Sequence, residues 1–486
     1  SAATACTGSL VLLLCWRWIK QRLSQRFDSV PGWPLVGALF RLGRPTGLVA
    51  SLERLSKEFG AEEGVFELDL AGDRTVVCSN WKACQEVLAL RPFKVVRSAN
   101  FERFRSFADG VFLAEGHKWS KERRLMAPAF NAKNVSAYFQ GIREVVASLM
   151  ARISHDDAQH GIVNFSEILP DFSADVIVKV AFGHDLRALH MKHPEVADIT
   201  RLFEVITMRM MSPLPFWRLP ILGPLLDHGA AISSRLQKWV WNLAQCAPPA
   251  TERPTLVRKL MEQEQDQFGS EELVGNLATL FMAGTDTTSN QLAWALYELS
   301  MLPDVQEEAA AEVRTKTPHG VLELADLEQL PLISAIWLES LRLRSVAPFV
   351  GLTSAEPFEL AGRRVPAGTN LFLLLRRAQH QHADVRALLG NDMSEFRPKR
   401  WLKEGADSST GAAVLHRIPT LDTIAFGHGA RYCLGKGLAD AEARLALAEI
   451  LRHFRISPWD GPAMWEKTAF TQQPGVPVKL RLVSRT

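Results

Sequence analysis

The segment Phe426-Gly-His-Gly-Ala-Arg-Tyr-Cys-Leu-Gly435 constrains this chain more than any other. It sets three glycines around a single cysteine and leads straight into an alanine-rich helical pattern that runs to about His453. Glycines at such spacing specify a sharply bent backbone with accessible N–H groups. A thiolate at Cys433 would meet those N–H groups and the positive end of the following helix, and both favour the charged form. The spacing therefore predicts that Cys433 is poised to ligate a metal. A solitary cysteine before a helix is more often a small buried hydrophobe. Arg431, two residues before it, and Phe426, seven before it, move the reading toward a ligand. A closed zinc site needs four protein ligands, and no Cys or His beyond the nearby His428 completes such a set. A macrocycle could supply the remaining ligands.

The rest of the composition narrows the class. The chain has 486 residues, 56 Lys+Arg against 53 Asp+Glu for a net charge of +3, 47% hydrophobic residues and 22% charged. This profile excludes a disordered, collagen-like or many-spanning membrane protein. So small a net charge produces no strong global field, and no nucleic-acid partner is implied. The six cysteines, Cys6, Cys15, Cys78, Cys84, Cys246 and Cys433, are scattered without a CxxC pair, which points to a reducing compartment. Residues 1–16 carry no charge, Leu10 to Trp16 is strongly apolar, and Arg17, Lys20, Arg22 and Arg26 follow at once. The run is short for a bilayer span of about 20 residues. With no initial Met, the chain reads as a fragment or processed form. Residues 1–27 are accordingly expected to be an N-terminal anchor or targeting segment with its cations on the cytoplasmic side.

Pro31-Gly-Trp-Pro34 stops any helix leaving that segment, so the body, residues 28–486, starts there. No repeat of 20 to 50 residues is visible, which argues against a solenoid or propeller. Val65–Leu70, a turn at Ala71–Arg74 and Thr75–Cys78 read as a small hairpin. Helical spacing marks Asn134–Ile153, Phe172–Phe182, Pro194–Met211 and Ser233–Leu243, and short strands are expected at Phe358–Arg364, Asn370–Leu374 and Pro477–Val483. The linkers Cys246–Pro254 and Asp407–Ala413 are too short to separate independent domains. The expected fold class is α+β, mainly α-helical.

Three further segments carry chemistry. Ala283-Gly-Thr-Asp-Thr-Thr288, followed by Ser289 and Asn290, lies inside a helical run from about Glu271 to Leu302, with Ser270 as N-cap and Pro303 as stop. Poor helix formers in succession conflict with the helix around them, and such conflict marks functional sites. Thr287 is placed to bond back to the carbonyl of Ala283 and bend the helix. Glu339 and Arg342 share one helix face, with Phe396-Arg-Pro-Lys-Arg-Trp401 downstream. An exposed i,i+3 pair alone contributes a few tenths of a kcal/mol. Trp119-Ser-Lys-Glu-Arg123, read in isolation, is part of a surface helix.

Together these four segments resemble the cytochrome P450 superfamily, in their order and in their spread from Trp119 to Gly435. Phe426, Gly429, Arg431, Cys433 and Gly435 are similar to its heme-binding signature. The resemblance implies a P450 fold with small β-sheets and a long central helix over heme b (iron protoporphyrin IX), with Cys433 as the axial thiolate. It implies that Asp286 and Thr287 form the acid–threonine pair that delivers protons during oxygen activation. Glu339, Arg342 and Arg400 would form a buried structural triad. Trp119 and Arg123 would hold one heme propionate and Arg431 the other, a task suited to the guanidinium fork. Two positions depart from the pattern: Ala425 replaces a common Pro, and Leu352 a common propionate-binding Arg.

What the resemblance implies about function is a heme-thiolate monooxygenase that uses O2 to hydroxylate or epoxidise a lipophilic fatty-acid, sterol or terpenoid-like substrate. The chain has no flavin or nicotinamide motif, so electrons would come from a separate NADPH-dependent flavoprotein reductase or a ferredoxin. A membrane-associated enzyme facing the cytosol is expected, at the endoplasmic reticulum, with a plastid or mitochondrial setting as the alternative. The rival functions are an electron-independent isomerase or dehydratase, which the acid–threonine pair disfavours, and a non-catalytic heme sensor. Family analogy lines the substrate pocket with Phe101–Phe112, Phe203–Met211, Phe281, Met282, Val346–Val350 and Ala469–Thr471.

Overall fold

The computed structural model describes residues 27–33, 36–42, 47–60, 63–212, 214–249, 255–263, 269–318, 320–381, 386–387, 390, 392–403, 414–415 and 424–485. The apolar run Leu10–Trp16 with its cations, and the linker Asp407–Ala413, lie outside them. The chain forms two compact units, one of residues 1–99, 347–388 and 423–432, the other of residues 100–346, 389–422 and 433–486. The fold is α+β and mainly helical. Among the described residues no helix is long and apolar enough to cross a membrane.

The first unit is built on a six-stranded sheet in the order 28–29, 65–70, 73–78, 370–373, 350–354, 95–97. The hairpin expected at its heart is tighter than the sequence suggested, with a turn of two residues and not four. Ala71 and Gly72 both take positive φ, 55° and 94°, the mirror-image turn that matches strand twist. Asp69 Oδ1 accepts from Gly72 N at 2.6 Å and holds the turn. Nor does the hairpin stand alone, since Thr75–Cys78 pairs in parallel with Asn370–Leu373. Phe66, Leu68 and Val77 face Leu52 and Leu55 of the helix Gly47–Glu58 and Leu374, all of them buried.

The second unit is helical, and it holds most of the candidate chemistry. Its centre is the helix Ser270–Ser300 packed along Phe165–Phe182. The latter helix is buried on nearly every face, its polar residues Asp171, Ser173, Asp175 and Lys179 included. It ends at Gly183 in the left-handed region, φ 76°, whose N–H closes on Lys179 O at 3.0 Å. At Gly284 the two helices come close enough that a Cβ would lie 3.1 Å from Ile177 Cδ1. The N-cap of the central helix is Gly269, and Ser270, expected there, is its first residue. Glu272 makes the cap by accepting from Gly269 N at 3.4 Å, which leaves Ser270 no capping task. Pro303 starts the next helix, Pro303–Lys316.

The other helices run longer than the sequence suggested. They span Ala132–His160, Phe165–Phe182 with Pro170 inside, and Gly229–Gln245, because apolar packing carries each past its periodic core. Pro194–Met211 has the expected bounds. The helix Pro331–Leu343 is capped from a neighbour: Leu332 N and Ile333 N donate to the Glu312 carboxylate at 3.0 and 3.3 Å. Burial pushes that carboxyl up to about 7 against those two bonds. The helix Lys436–His453 lies against Ala132–His160 and leads into a three-stranded sheet of 454–458, 479–484 and 163–164. The segment Phe358–Arg364 is two strands, Phe358–Leu360 and Arg363–Val365, folded on each other.

Candidate functional site

Cys433 sits three residues before the helix Lys436–His453, whose first turn closes with Ala439 N on Gly435 O at 2.9 Å. A Cβ at Gly435 would lie 3.9 Å from Cys433 Sγ, so glycine keeps the ground beside the sulfur clear. The backbone N–H groups of Gly435 and Lys436 and the charge of Arg123 all favour the thiolate. The expectation that these donors alone decide the matter is incomplete, because crowding by protein atoms outweighs them and raises the thiol pKa. The side chain is nevertheless exposed. Anion-stabilising groups converge on the sulfur all the same. The donor set is one sulfur. Among the described residues no group of three His, Cys, Asp or Glu side chains could hold a metal ion. A single sulfur with anion-stabilising groups beside it would suit a metal that carries its remaining ligands with it, as heme iron does.

Arg123 and Trp119 lie four residues apart on the helix Gly116–Met126, Trp119 buried and Arg123 half-buried. Thus Trp119, Arg123, Cys433 and Gly435 belong to the second unit, while Phe426, Gly429 and Arg431 belong to the first. Within that first unit, Gly429 has φ 69° and a Cβ there would stand 3.3 Å from Leu88 O, so this turn requires glycine. His428 packs edge-on against Trp81 with centroids 5.5 Å apart. Phe426 and Arg431 are half-buried, and Leu352 is wholly buried in its strand.

On the central helix the local conflict resolves into hydrogen bonds. Thr287 Oγ1 donates to Ala283 O at 2.7 Å, as its spacing predicts. Asn290 Nδ2 donates to Asp286 O at 2.8 Å and to Asp286 Oδ1 at 3.2 Å. Ala283 is exposed, although its helix is otherwise largely enclosed. Asp286 is buried, and its partners from outside the helix come from one hairpin: Thr471 Oγ1 donates to Oδ2 at 2.7 Å and Gln473 Nε2 to Oδ1 at 3.3 Å. Burial pushes its carboxyl up to about 6, opposed by bonds from Thr471, Asn290 and Gln473. A carboxyl in that range holds or gives up a proton near neutrality.

Glu339, Arg342 and Arg400 are brought together and almost wholly buried. Glu339 accepts from Arg342 Nε and Nη2 at 2.8 Å each, from Arg400 Nε at 2.9 Å, from Arg397 N at 2.8 Å and from Trp401 Nε1 at 2.8 Å. Of the apolar segments, Phe101, Phe104, Phe112, Phe203 and Phe470 gather, with the Phe470 ring 5.3 to 6.4 Å from the other four. Phe281 does not join them; it packs on Trp239 at 4.9 Å and is core.

Sequence reasoning missed Glu442 and the hairpin partners of Asp286. Glu442 is buried on the helix that follows Cys433, bonded by Thr288 of the central helix, and burial pushes its carboxyl up to about 8. Its signal was a carboxylate on the apolar face that carries Leu438, Ala441 and Leu445. Thr471 and Gln473 had no local signal, because their partner lies 185 and 187 residues away.

Comparison with known proteins agrees with this geometry. The family model described as Cytochrome P450 matches residues 28–479. The chain is similar to Cytochrome P450 27C1 of Danio rerio, 25% identical over 79% of this chain and 74% of that protein. It is also similar to the mitochondrial sterol 26-hydroxylase of Homo sapiens, 27% identical over 72% of this chain and 67% of that protein. A self-sufficient cytochrome P450 monooxygenase of Penicillium expansum is 26% identical over 89% of this chain, which spans only 41% of that longer protein.

Proposed function

The chain belongs to the cytochrome P450 family, a monooxygenase with heme b as cofactor, and on that premise we propose that it hydroxylates or epoxidises a lipophilic compound with electrons from a separate partner. The observation that carries the reading is the Cys433 sulfur with the Gly435 and Lys436 N–H groups and the Arg123 charge directed to it. When bound, the heme supplies the iron at which dioxygen is reduced and split, one atom going to substrate and one to water.

The chain's own residues do the rest. Cys433 ligates through sulfur, whose charge the two N–H groups and Arg123 offset. Trp119 and Arg123 hold one propionate and Arg431 the other. Asp286 holds and releases a proton near neutrality, and Thr287 beside it is the second member of the proton-delivering pair. Glu339, Arg342 and Arg400 support the fold and take no part in the chemistry. The five-phenylalanine cluster excludes water and selects apolar, ring-bearing or long-chain substrates. A sterol-like compound is in keeping with the relative named sterol 26-hydroxylase.

The electron donor is proposed to be a separate ferredoxin or flavoprotein reductase, in keeping with the P450 family to which the chain belongs. The relatives named mitochondrial favour an organellar setting over the endoplasmic reticulum.

The test is spectroscopic and then chemical. Heme-loaded protein is reduced under carbon monoxide, and the red-shifted band of thiolate ligation is expected in wild type and lost in Cys433→His. Survival of that band in the variant overturns the ligand assignment. A panel of lipophilic compounds is then screened for spin-state shifts and for reductase-dependent product. Heme binding without any product favours the sensor reading; product without a reductase favours the isomerase.

A further inference from the structure

The partners of Asp286 raise a question that the acid–threonine pair does not answer. Its carboxyl is held from outside by the tip and first return residues of the hairpin Glu466–Thr468 and Gln472–Pro474. The tip is three residues, Ala469, Phe470 and Thr471. Thr471 is buried and bonds Asp286 at 2.7 Å. One peptide unit before it, Phe470 places its ring against Phe101, Phe104, Phe112 and Phe203. The Phe470 N–H donates to Thr207 Oγ1 at 2.9 Å, while that hydroxyl donates to Phe203 O at 2.8 Å. The tip is thus tied on one side to the helix Pro194–Met211, beneath the aromatic cluster, and on the other to the proton-handling acid.

The base of the hairpin is fixed much more firmly. Arg344 pairs with Glu466 at 2.7 Å and Glu298 at 2.6 Å, and lies over the Trp294 ring. Gln472 N donates to Val346 O at 2.8 Å, and Gln472 O accepts from Trp294 Nε1 at 3.4 Å. A load on the Phe470 ring therefore cannot be absorbed by sliding the hairpin. It must be taken up by the tip, and Cα atoms across one peptide are only about 3.8 Å apart. A hydrogen bond of this length loses most of its strength when the donor moves by roughly 0.5–1 Å.

We propose that Thr471 is a positioning residue that fixes the Asp286 carboxyl, and that Phe470 couples this hold to what occupies the aromatic cluster. A thin apolar chain that threads the cluster leaves the hold intact. A compound too wide for the cluster, which displaces the Phe470 ring, loosens it, and the enzyme then spends reductant on peroxide. Specificity is exerted here on coupling as well as on binding. The inference rests on the assignment of Asp286 as the proton-handling acid.

The groups facing Asp286 are Asn290 of its own helix and Thr471 and Gln473 of the hairpin, all neutral, so its titration reports the hold without interference from a neighbouring charge. The test uses ferric heme-loaded full-length chain without reductant. Infrared spectra are recorded across a pH series, and the carboxyl band missing from Asp286→Asn is followed. The titration midpoint is expected to rise in Thr471→Val, which loses the donor to the carboxylate, and to return in Thr471→Ser. Pyrene, the wide probe, should raise the midpoint in wild type and not in Phe470→Ala. An unchanged midpoint in Thr471→Val, or a pyrene shift that persists in Phe470→Ala, overturns the proposal. If Thr471→Val fails to fold, the Phe470→Ala comparison decides alone. Because the infrared measurement needs neither oxygen nor electrons, it stands even where product assays contradict the monooxygenase reading. In turnover, Thr471→Val should release severalfold more peroxide per reductant than Thr471→Ser.

Discussion

Glu339 and Asp286 are both buried carboxylates of the second unit, yet their surroundings have opposite character. Glu339 faces two guanidiniums, an indole N–H and a backbone N–H. Asp286 faces a hydroxyl and two amides, with no cation among its partners. Full charge compensation makes the first a permanent ion cluster, a structural device. Neutral partners alone leave the second close to its protonation threshold, where a carboxyl can work as an acid. Burial alone does not separate structural from chemical carboxylates; the charge of the donors does.

The largest expected effect comes from breaking the compensated site. Glu339→Gln removes the buried carboxylate that Arg342 and Arg400 share, which costs about 3–5 kcal/mol. The yield of folded, heme-loaded protein should collapse, as read by absorbance and thermal unfolding. Normal yield would show that the cluster is ornamental.

Asp286→Asn should fold normally and lose about 10²-fold in reductase-dependent product formation. A variant with wild-type turnover would remove Asp286 from proton handling and erase the contrast.

The same variant sharpens the comparison through pH. The native carboxyl lies near 6, above its ordinary 3.8, so the folded state binds more protons than the unfolded between those values. Stability therefore falls as pH rises through that window, and the penalty is fully present above about pH 6. Denaturant titration should find Asp286→Asn more stable than wild type by about 1–3 kcal/mol at pH 7.5. The difference should vanish near pH 4.

Thr287→Ala should consume reductant at a rate near wild type and divert more of it to peroxide, so product per electron falls. Equal product per electron in the two proteins counts against its role. The smallest effect is expected for Arg400→Lys, which keeps a cation beside Glu339 but forfeits the fork that also reaches Asp392 Oδ1 at 3.0 Å. A loss of roughly 1 kcal/mol is expected in denaturant midpoints.

Particular elements show where sequence reading succeeds. The helix Pro194–Met211 was legible to the residue, and the end of the helix Lys436–His453 approximately, because apolar spacing and a proline or strand boundary are local signals. The Thr287 bond to Ala283 follows from spacing of four on one helix. The extension of the helix Phe165–Phe182 back past Pro170 was not legible, because enclosure on all sides removes the amphipathic period. Phe281 was read as pocket lining and proved to be core, since an apolar residue carries no mark of which apolar neighbour it meets.

What the amino-acid order determined by itself is the chemistry at short range: a glycine-flanked Cys433 before a helix, an acid beside a threonine among poor helix formers, and a Glu and Arg one turn apart. Only tertiary structure decided that Asp286 is met by Thr471 and Gln473, that Glu442 meets Thr288, and that five phenylalanines share one cluster. Backbone geometry and one-turn spacings are set within a few residues. The charge environment of a buried carboxyl depends on segments nearly two hundred residues away, and no local pattern encodes which of them arrives.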